Sequence, residues 1–169
     1  MTTKTLIILR HGKAEFSSTD GQDISRQLAE RGHKEARMMG KVLRKTDSTP
    51  QRILLSPSTR TRETSESVLK KLHSTPEVVV DDGIYNASVG ELVHIVRKQL
   101  DATSILLIGH NPGLEELVAR LINPTDPPMI QLPTCGMARI EFEIEEWNDI
   151  VDHAGRLVWL TTPDLLEAL

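Results

Sequence analysis

Short apolar segments recur along the chain, and each one stops abruptly at a polar or turn-forming residue. The clearest are residues 6–9, 52–56 and 104–109, and a run of valines at 78–80 adds a fourth. Apolar runs of this length, bounded by turn signals, are typical of parallel strands covered on both faces. Valine is also a residue type that favours strands. We therefore predict four strands in the first two thirds of the chain.

The first strand is followed by a polar loop at about residues 12–26. Beyond that loop, segments with apolar residues at helical spacing lie between the strands. The inward positions are Leu28, Ala36, Met39, Val42 and Leu43 in the first helix; Val68, Leu69 and Leu72 in a helix near 57–73; Val89, Leu92, Val93, Val96 and Leu100 in the third; and Leu114, Leu117, Val118 and Leu121 in a helix at 112–122. Strands that alternate with helices favour a parallel sheet with helices on both faces.

The pattern changes after residues 123–133, which hold four prolines and are interpreted as an irregular crossover loop. Apolar and charged residues alternate from Ala138 to Ile144, as in a half-exposed strand. After a loop at 148–155, residues 156–161 are predicted to return as a hairpin partner at one edge of the sheet. The expected fold is α/β, a three-layer αβα arrangement with a mostly parallel sheet and a C-terminal antiparallel hairpin. A length of 169 residues fits one domain, 1–169.

Arginine and histidine side chains stand at the ends of three predicted strands. Arg10 and His11 end the first, Arg60 follows the second by a few residues, and His110 ends the 104–109 strand. Ligands of open parallel sheets bind just beyond the carboxyl ends of the strands. If the strands are adjacent, the four side chains meet in one pocket. Two guanidinium groups and two imidazoles suit a tetrahedral dianion such as a phosphoryl group.

Two of these strand ends also carry helix-start signals. Ser56 is predicted to cap the following helix, with Pro57 at its first position. Asn111 and Pro112 have the same order and the same interpretation. A helix start with an arginine in its first turn makes an anion site.

The ordered motifs resemble the histidine phosphatase superfamily, whose fold is like that of phosphoglycerate mutase, and most of all its small SixA-type phosphohistidine phosphatase branch. The matching residues are Arg10-His11-Gly12, Ser56-Pro57 with Arg60, and His110 in Gly109-His110-Asn111-Pro112-Gly113. Further agreement comes from Asp23, Arg26, Leu28, Arg31 and Gly32 and from Ile84-Tyr85-Asn86-Ala87. The resemblance covers residue 4 to about residue 161, and the set of motifs in order is specific where each one alone is not.

This resemblance implies a two-step transfer through a covalent phosphohistidine, with His11 as the nucleophile. It implies that Arg10 and Arg60 bind the phosphoryl oxygens, that His110 donates as a cation beside the phosphate, and that no metal or organic cofactor is needed. Arg26 is a candidate substrate-binding residue at the rim of the pocket, with a solvated loop arginine as the alternative. Tyr85 is interpreted as a structural aromatic, with a place in the lining of the pocket as the alternative.

The general acid has no distinct motif. The candidate carboxylates are Glu15, Asp20, Asp23, Asp82 and Glu115. An alkoxide leaving group needs a proton, whereas a phosphoramidate can leave as neutral imidazole, so we hypothesise protein phosphohistidine, for example on a phosphorelay or phosphotransfer protein, as the preferred substrate. A small-molecule phosphomonoesterase acting on a sugar phosphate or nucleotide, and a non-catalytic phosphohistidine-binding module, remain the alternatives. A mutase is disfavoured because no segment is left to hold a carboxylate-bearing substrate.

Composition and charge argue against several classes of partner and site. A net charge of −4 gives no reason to expect nucleic acid as a partner. Cys135 is the only cysteine, and no His-Glu-x-x-His pattern occurs, so a disulfide or metal site is not expected. No apolar run approaches the roughly 20 residues that span a membrane. No signal peptide is recognised in residues 1–9, so the expected compartment is the cytoplasm.

Overall fold

Six strands form one sheet in the computed structural model, which describes residues 1–122 and 130–169. The strands are β1 Thr2–Arg10, β2 Arg52–Leu55, β3 Glu77–Val80, β4 Ser104–Gly109, β5 Met137–Ile144 and β6 Arg156–Thr161. Their spatial order is β3-β2-β4-β1-β5-β6. The first four are mutually parallel, and β5 runs antiparallel to both β1 and β6. The predicted mostly parallel sheet with a C-terminal hairpin at one edge is confirmed.

Within the described residues, five α-helices accompany the sheet. They are α1 Glu30–Lys45, α2 Thr59–Leu69, α3 Val89–Arg97, α4 Gly113–Ile122 and α5 Pro163–Ala168. Alternate residues of β1 divide the core into two layers, because successive side chains of a strand point to opposite faces. Leu6 and Ile8 pack with residues of α3 and α4, whereas Ile7 and Leu9 pack with residues of α1 and α2. All four are fully buried, and the predicted three-layer αβα arrangement is confirmed.

Several element boundaries differ from the prediction, and local contacts explain them. Leu28 lies ahead of α1 in an isolated antiparallel bridge with Ala14, so its burial comes from the sheet-like pairing of a loop. Leu100 lies beyond the end of α3 and is 73% exposed, so it does not belong to the core. The short helix α5 carried no sequence signal that we recognised.

The helix start after β2 lies two residues later than predicted. Ser58, not Ser56, is the N-cap of α2, and its side chain accepts from the backbone N–H of Thr61. Ser56 instead presents its hydroxyl to other partners, which moves Arg60 to the second residue of the helix. The expected crossover loop at 123–133 falls largely outside the described residues.

Candidate active site

His11 follows the carboxyl end of β1, beside the neighbouring strand β4. Its backbone N–H donates to the carbonyl oxygen of Gly109 at 3.1 Å. The ring nitrogen Nδ1 lies 2.8 Å from the carbonyl oxygen of Gly12. Because a carbonyl oxygen can only accept, Nδ1 carries the proton and Nε2 keeps a free lone pair. The backbone therefore selects the tautomer in which Nε2 is the nucleophilic atom of the ring.

The turn after His11 requires glycine because two backbones approach closely there. A Cβ atom at Gly12 would lie 2.9 Å from the carbonyl oxygen of Gly32 in α1. The Gly12 N–H donates to Oγ1 of Thr64 in α2 at 3.0 Å. Contacts with two helices thus fix the position of Gly12, whose carbonyl oxygen orients the His11 ring.

His110 follows β4 directly, and its ring centroid lies 5.2 Å from that of His11. Its Nε2 is 2.8 Å from Oγ of Ser56, and its Nδ1 is 3.4 Å from Nη2 of Arg60. Since a guanidinium group can only donate, Nδ1 is the acceptor and Nε2 donates its proton to the serine hydroxyl. The Ser56 side chain, predicted as a helix cap, therefore orients the second histidine of the site.

Three arginines reach the same region from three segments. Arg10 comes from the end of β1, and its Nη1 donates to the carbonyl oxygen of Leu132 at 3.0 Å. Arg60 comes from the first turn of α2, and its side chain is only 8% exposed. Arg26 follows the 3-10 helix Asp23–Ser25. Together with the two histidines, the structure brings all five sequence-predicted site residues to one edge of the sheet.

Burial and neighbouring charge both act on the two histidines. Burial, joined by the charges of Arg60, Arg10 and Arg26, lowers the pKa of His11 from 6.5 to about 4 against an opposing hydrogen bond to the Gly12 carbonyl. Burial, with His11 and Arg60, lowers the pKa of His110 to about 3. Both rings are therefore neutral at pH 7 in the unliganded protein. The expected cationic form of His110 requires the negative charge of a bound phosphoryl group.

Asp23 and Tyr85 also lie at the site, although the sequence analysis favoured a structural role for Tyr85 over a place in the pocket. The Asp23 carboxylate accepts from Nη2 of Arg60 at 3.0 Å, from Nη1 of Arg26 at 3.0 Å and from the Tyr85 hydroxyl at 2.7 Å. The Tyr85 ring stands edge-on to His110, with centroids 5.5 Å apart. The interpretation of Tyr85 as a purely structural aromatic is therefore incomplete.

None of the five candidate carboxylates is placed as an evident proton donor. The Tyr85 hydrogen bond and both arginines lower the pKa of Asp23, and hydrogen bonds from Ser25, Gln22 and Ser18 lower that of Asp20. Both groups are ionised at neutral pH and hold no proton to give. An oxygen of Glu115 accepts from the backbone N–H of Leu132 at 2.7 Å. Glu15 and Asp82 are exposed.

A cavity of about 420 Å³ opens beside His110. Its polar lining is Asn86, Ser88, Glu91, Asn111 and Glu116. The cavity gives space next to His110 for a ligand larger than a phosphoryl group alone. No three histidine, cysteine or acidic side chains of residues 1–122 and 130–169 cluster as metal ligands do. In the same part of the chain, no helix combines the length and apolar character needed to cross a membrane.

Comparison with known proteins agrees with this geometry. Residues 6–103 match the model of the histidine phosphatase superfamily, branch 1, a stretch that contains Arg10, His11, Arg26 and Arg60. The phosphohistidine phosphatase SixA of Escherichia coli is 31% identical over 132 residues, which cover 73% of this chain and 78% of that protein. An uncharacterised chloroplastic protein of Arabidopsis thaliana is 27% identical over 96% of this chain and 79% of its own length.

The fold comparison extends the match to almost the whole chain. A solved structure of the protein histidine phosphatase SixA in complex with tungstate superposes with a TM-score of 0.80 and 26% identity. The superposition covers 96% of this chain and 99% of that one. The chain thus belongs to branch 1 of the histidine phosphatase superfamily and is a phosphatase of the SixA type.

Proposed function

We propose that the protein hydrolyses the phosphoryl group of protein phosphohistidine through a covalent phosphohistidine on His11. One observation carries the proposal: a buried imidazole whose Nδ1–H is bound to the Gly12 carbonyl, leaving Nε2 unprotonated among three arginines. A neutral, oriented imidazole nitrogen is the form of histidine that can attack phosphorus. Arg10, Arg60 and His110 complete the catalytic set, and Arg26 contributes to binding the phosphoryl oxygens.

In the first step, the Nε2 lone pair of His11 forms a bond to phosphorus, and the bond between phosphorus and the substrate's imidazole nitrogen breaks. The departing nitrogen keeps the bonding electron pair. When the other nitrogen of the substrate ring is already protonated, the product is a neutral imidazole and no protein acid has to supply a proton. The guanidinium groups of Arg10 and Arg60 donate to the non-bridging oxygens, where they stabilise the charge of the transition state.

In the second step, water attacks phosphorus and the His11–phosphorus bond breaks, which returns the electron pair to Nε2 and releases inorganic phosphate. His110 serves both steps through Nδ1. That atom is an acceptor in the free protein, and the dianionic ligand favours its protonation, after which it becomes a charge-assisted donor to a phosphoryl oxygen. The Ser56 hydroxyl keeps the ring in place while its charge changes.

Two observations support an N-linked substrate over an alkyl ester. Asp23 and Asp20 are ionised, and neither can protonate an alkoxide. General acid catalysis is worth roughly 100-fold or more for such a leaving group. The related SixA structure holds tungstate, which is a tetrahedral oxyanion like phosphate, and the Escherichia coli relative is a phosphohistidine phosphatase.

The test compares hydrolysis of a phosphohistidine-bearing protein with hydrolysis of an alkyl phosphate and of p-nitrophenyl phosphate. We expect kcat/KM for phosphohistidine to exceed that for the alkyl ester by about 100-fold or more. A preference for the ester would instead identify a small-molecule phosphomonoesterase. Tungstate binding without hydrolysis of any of the three would identify a phosphohistidine-binding module.

The titration of His11 gives a separate prediction. Because its pKa is lowered to about 4, the ring stays neutral at pH 5.5, where a free imidazole is mostly protonated. NMR titration of ring-labelled protein in phosphate-free buffer should show a midpoint near the pKa of about 4 for the resonance that is missing from His11→Asn. The same chain unfolded in denaturant should titrate near 6.5. A midpoint near 6.5 in the folded protein would contradict the buried, arginine-flanked site.

A further inference from the structure

We propose that Asp23 is a positioning residue, which fixes the guanidinium group of Arg60 and the loop carrying Arg26 around the phosphoryl pocket. The inference deepens the proposed function and rests on it for the identity of the reaction, although its geometric content concerns anion binding alone. Neither the family comparison nor the catalytic steps above assign Asp23 a task.

The contacts with Arg60 are made by two different parts of Asp23. Nη1 of Arg60 donates to the Asp23 backbone carbonyl at 2.8 Å, and Nη2 donates to the carboxylate at 3.0 Å. Two bonds to one residue fix the plane of a guanidinium group, and with the contact from Nη2 to His110 they leave Nε–H and one Nη1 hydrogen for a ligand. In this orientation Nη2 also faces Nδ1 of His110 at 3.4 Å.

The same carboxylate binds two further groups. Its other oxygen accepts from Nη1 of Arg26 at 3.0 Å, while Nε of Arg26 donates to the backbone carbonyl of Glu15 at 2.8 Å. The Tyr85 hydroxyl donates to the oxygen that also binds Arg60, at 2.7 Å. One ionised side chain thus joins α2, the loop after β1 and the segment before α3.

Charge explains why a carboxylate occupies this position. The charges of Arg10, Arg26 and Arg60 act together on His11 and would repel one another in an empty pocket. Asp23 offsets part of that repulsion, and its side chain remains 52% exposed. The hydrogen bond from Tyr85 and the bonds from Arg26 and Arg60 keep its pKa lowered against the opposing effect of burial. Asp23 can therefore order the arginines without occupying their donors completely.

The test measures two quantities for two Asp23 variants. One is equilibrium tungstate binding by calorimetry, and the other is kcat/KM for a phosphohistidine-bearing protein. Asp23→Ala removes every side-chain acceptor, and we expect roughly 100-fold losses in both quantities, because small displacements of positioned groups have effects of that size. Asp23→Asn keeps one acceptor oxygen for Arg60 or Tyr85, and it should recover about 10-fold of that loss. Recovery by the isosteric variant separates positioning from mere loss of a side chain.

Asp20→Asn is the matched control. Asp20 lies in the same loop and accepts from Ser18, Gln22 and Ser25, and within residues 1–122 and 130–169 its side chain binds none of the three arginines. We expect its tungstate affinity and kcat/KM to stay within about two-fold of the wild type. An equal loss in Asp20→Asn and Asp23→Asn would overturn the inference, because both effects would then come from general loosening of the loop.

The Arg60→Ala background supplies a second readout. If Asp23 acts chiefly through Arg60, then adding Asp23→Asn to Arg60→Ala should change tungstate affinity by less than about three-fold, with the remainder due to Arg26. The inference would be overturned if the double variant lost tungstate affinity by the product of the losses seen in Asp23→Asn and Arg60→Ala separately. Tungstate binding does not depend on the substrate, so failure to hydrolyse phosphohistidine would refute the proposed function while leaving this result interpretable.

Discussion

His11→Ala should abolish phosphoryl transfer, lowering kcat/KM for a phosphohistidine-bearing protein by about 10⁴-fold or more. The loss is this large because the variant has no atom to form the first bond to phosphorus. The arginines and His110 remain, so the variant should still bind tungstate. Loss of chemistry with retained anion binding is the pattern expected for removal of a nucleophile.

Radioactive labelling tests directly for the proposed covalent intermediate. A ³²P-labelled phosphohistidine protein is mixed with the enzyme, and the reaction is quenched in alkali, where phosphohistidine survives. Wild type should acquire label, and His11→Ala should not. His94→Ala is the control, because His94 is exposed on α3, and it should label like wild type. Label on His11→Ala would contradict the assignment and move the nucleophile to His110.

The candidate site could be predicted from the sequence because of a topological rule. Arg10 ends β1 and His110 follows β4, and these are neighbouring parallel strands in register from Thr5 with Ser104 to Arg10 with Gly109. Strands that run together in this way bring the residues at their carboxyl ends to one edge. An apolar pattern that identifies the strands therefore also predicts which side chains meet.

The supporting residues were not accessible in the same way. Asp23 lies in a loop whose path depends on tertiary contacts, and no periodicity describes its bonds to Arg60 and Tyr85. Ser56 was predicted as the cap of α2, whereas in the structure Ser58 caps the helix and the Ser56 hydroxyl binds His110. Local sequence patterns predict helices and strands, whereas the hydrogen bonds between side chains of different loops depend on how those elements pack.

Arg60→Ala is expected to have the second largest effect, with kcat/KM reduced by about 10³-fold. Arg60 is nearly buried, and its removal takes away a charge-assisted donor to the transition state while leaving Asp23 without its principal cation. Arg60→Lys should recover only part of the activity, because a point charge cannot reproduce the planar fork that binds Asp23 and a phosphoryl oxygen together.

Two further measurements distinguish this role from a general loss of positive charge. Arg60 lowers the pKa of both His11 and His110, so in Arg60→Ala the NMR midpoint of His11 should rise from about 4 toward 6.5. Arg62→Ala is the matched control on α2, because Arg62 is exposed and donates to the backbone carbonyl of Pro57. This variant should leave the titration midpoint of His11 in place and should change kcat/KM by no more than about two-fold. Equal losses of kcat/KM in Arg60→Ala and Arg62→Ala would show that activity depends on the positive charge of α2 in general. That result would contradict a specific hydrogen bond from Arg60 to the phosphoryl group.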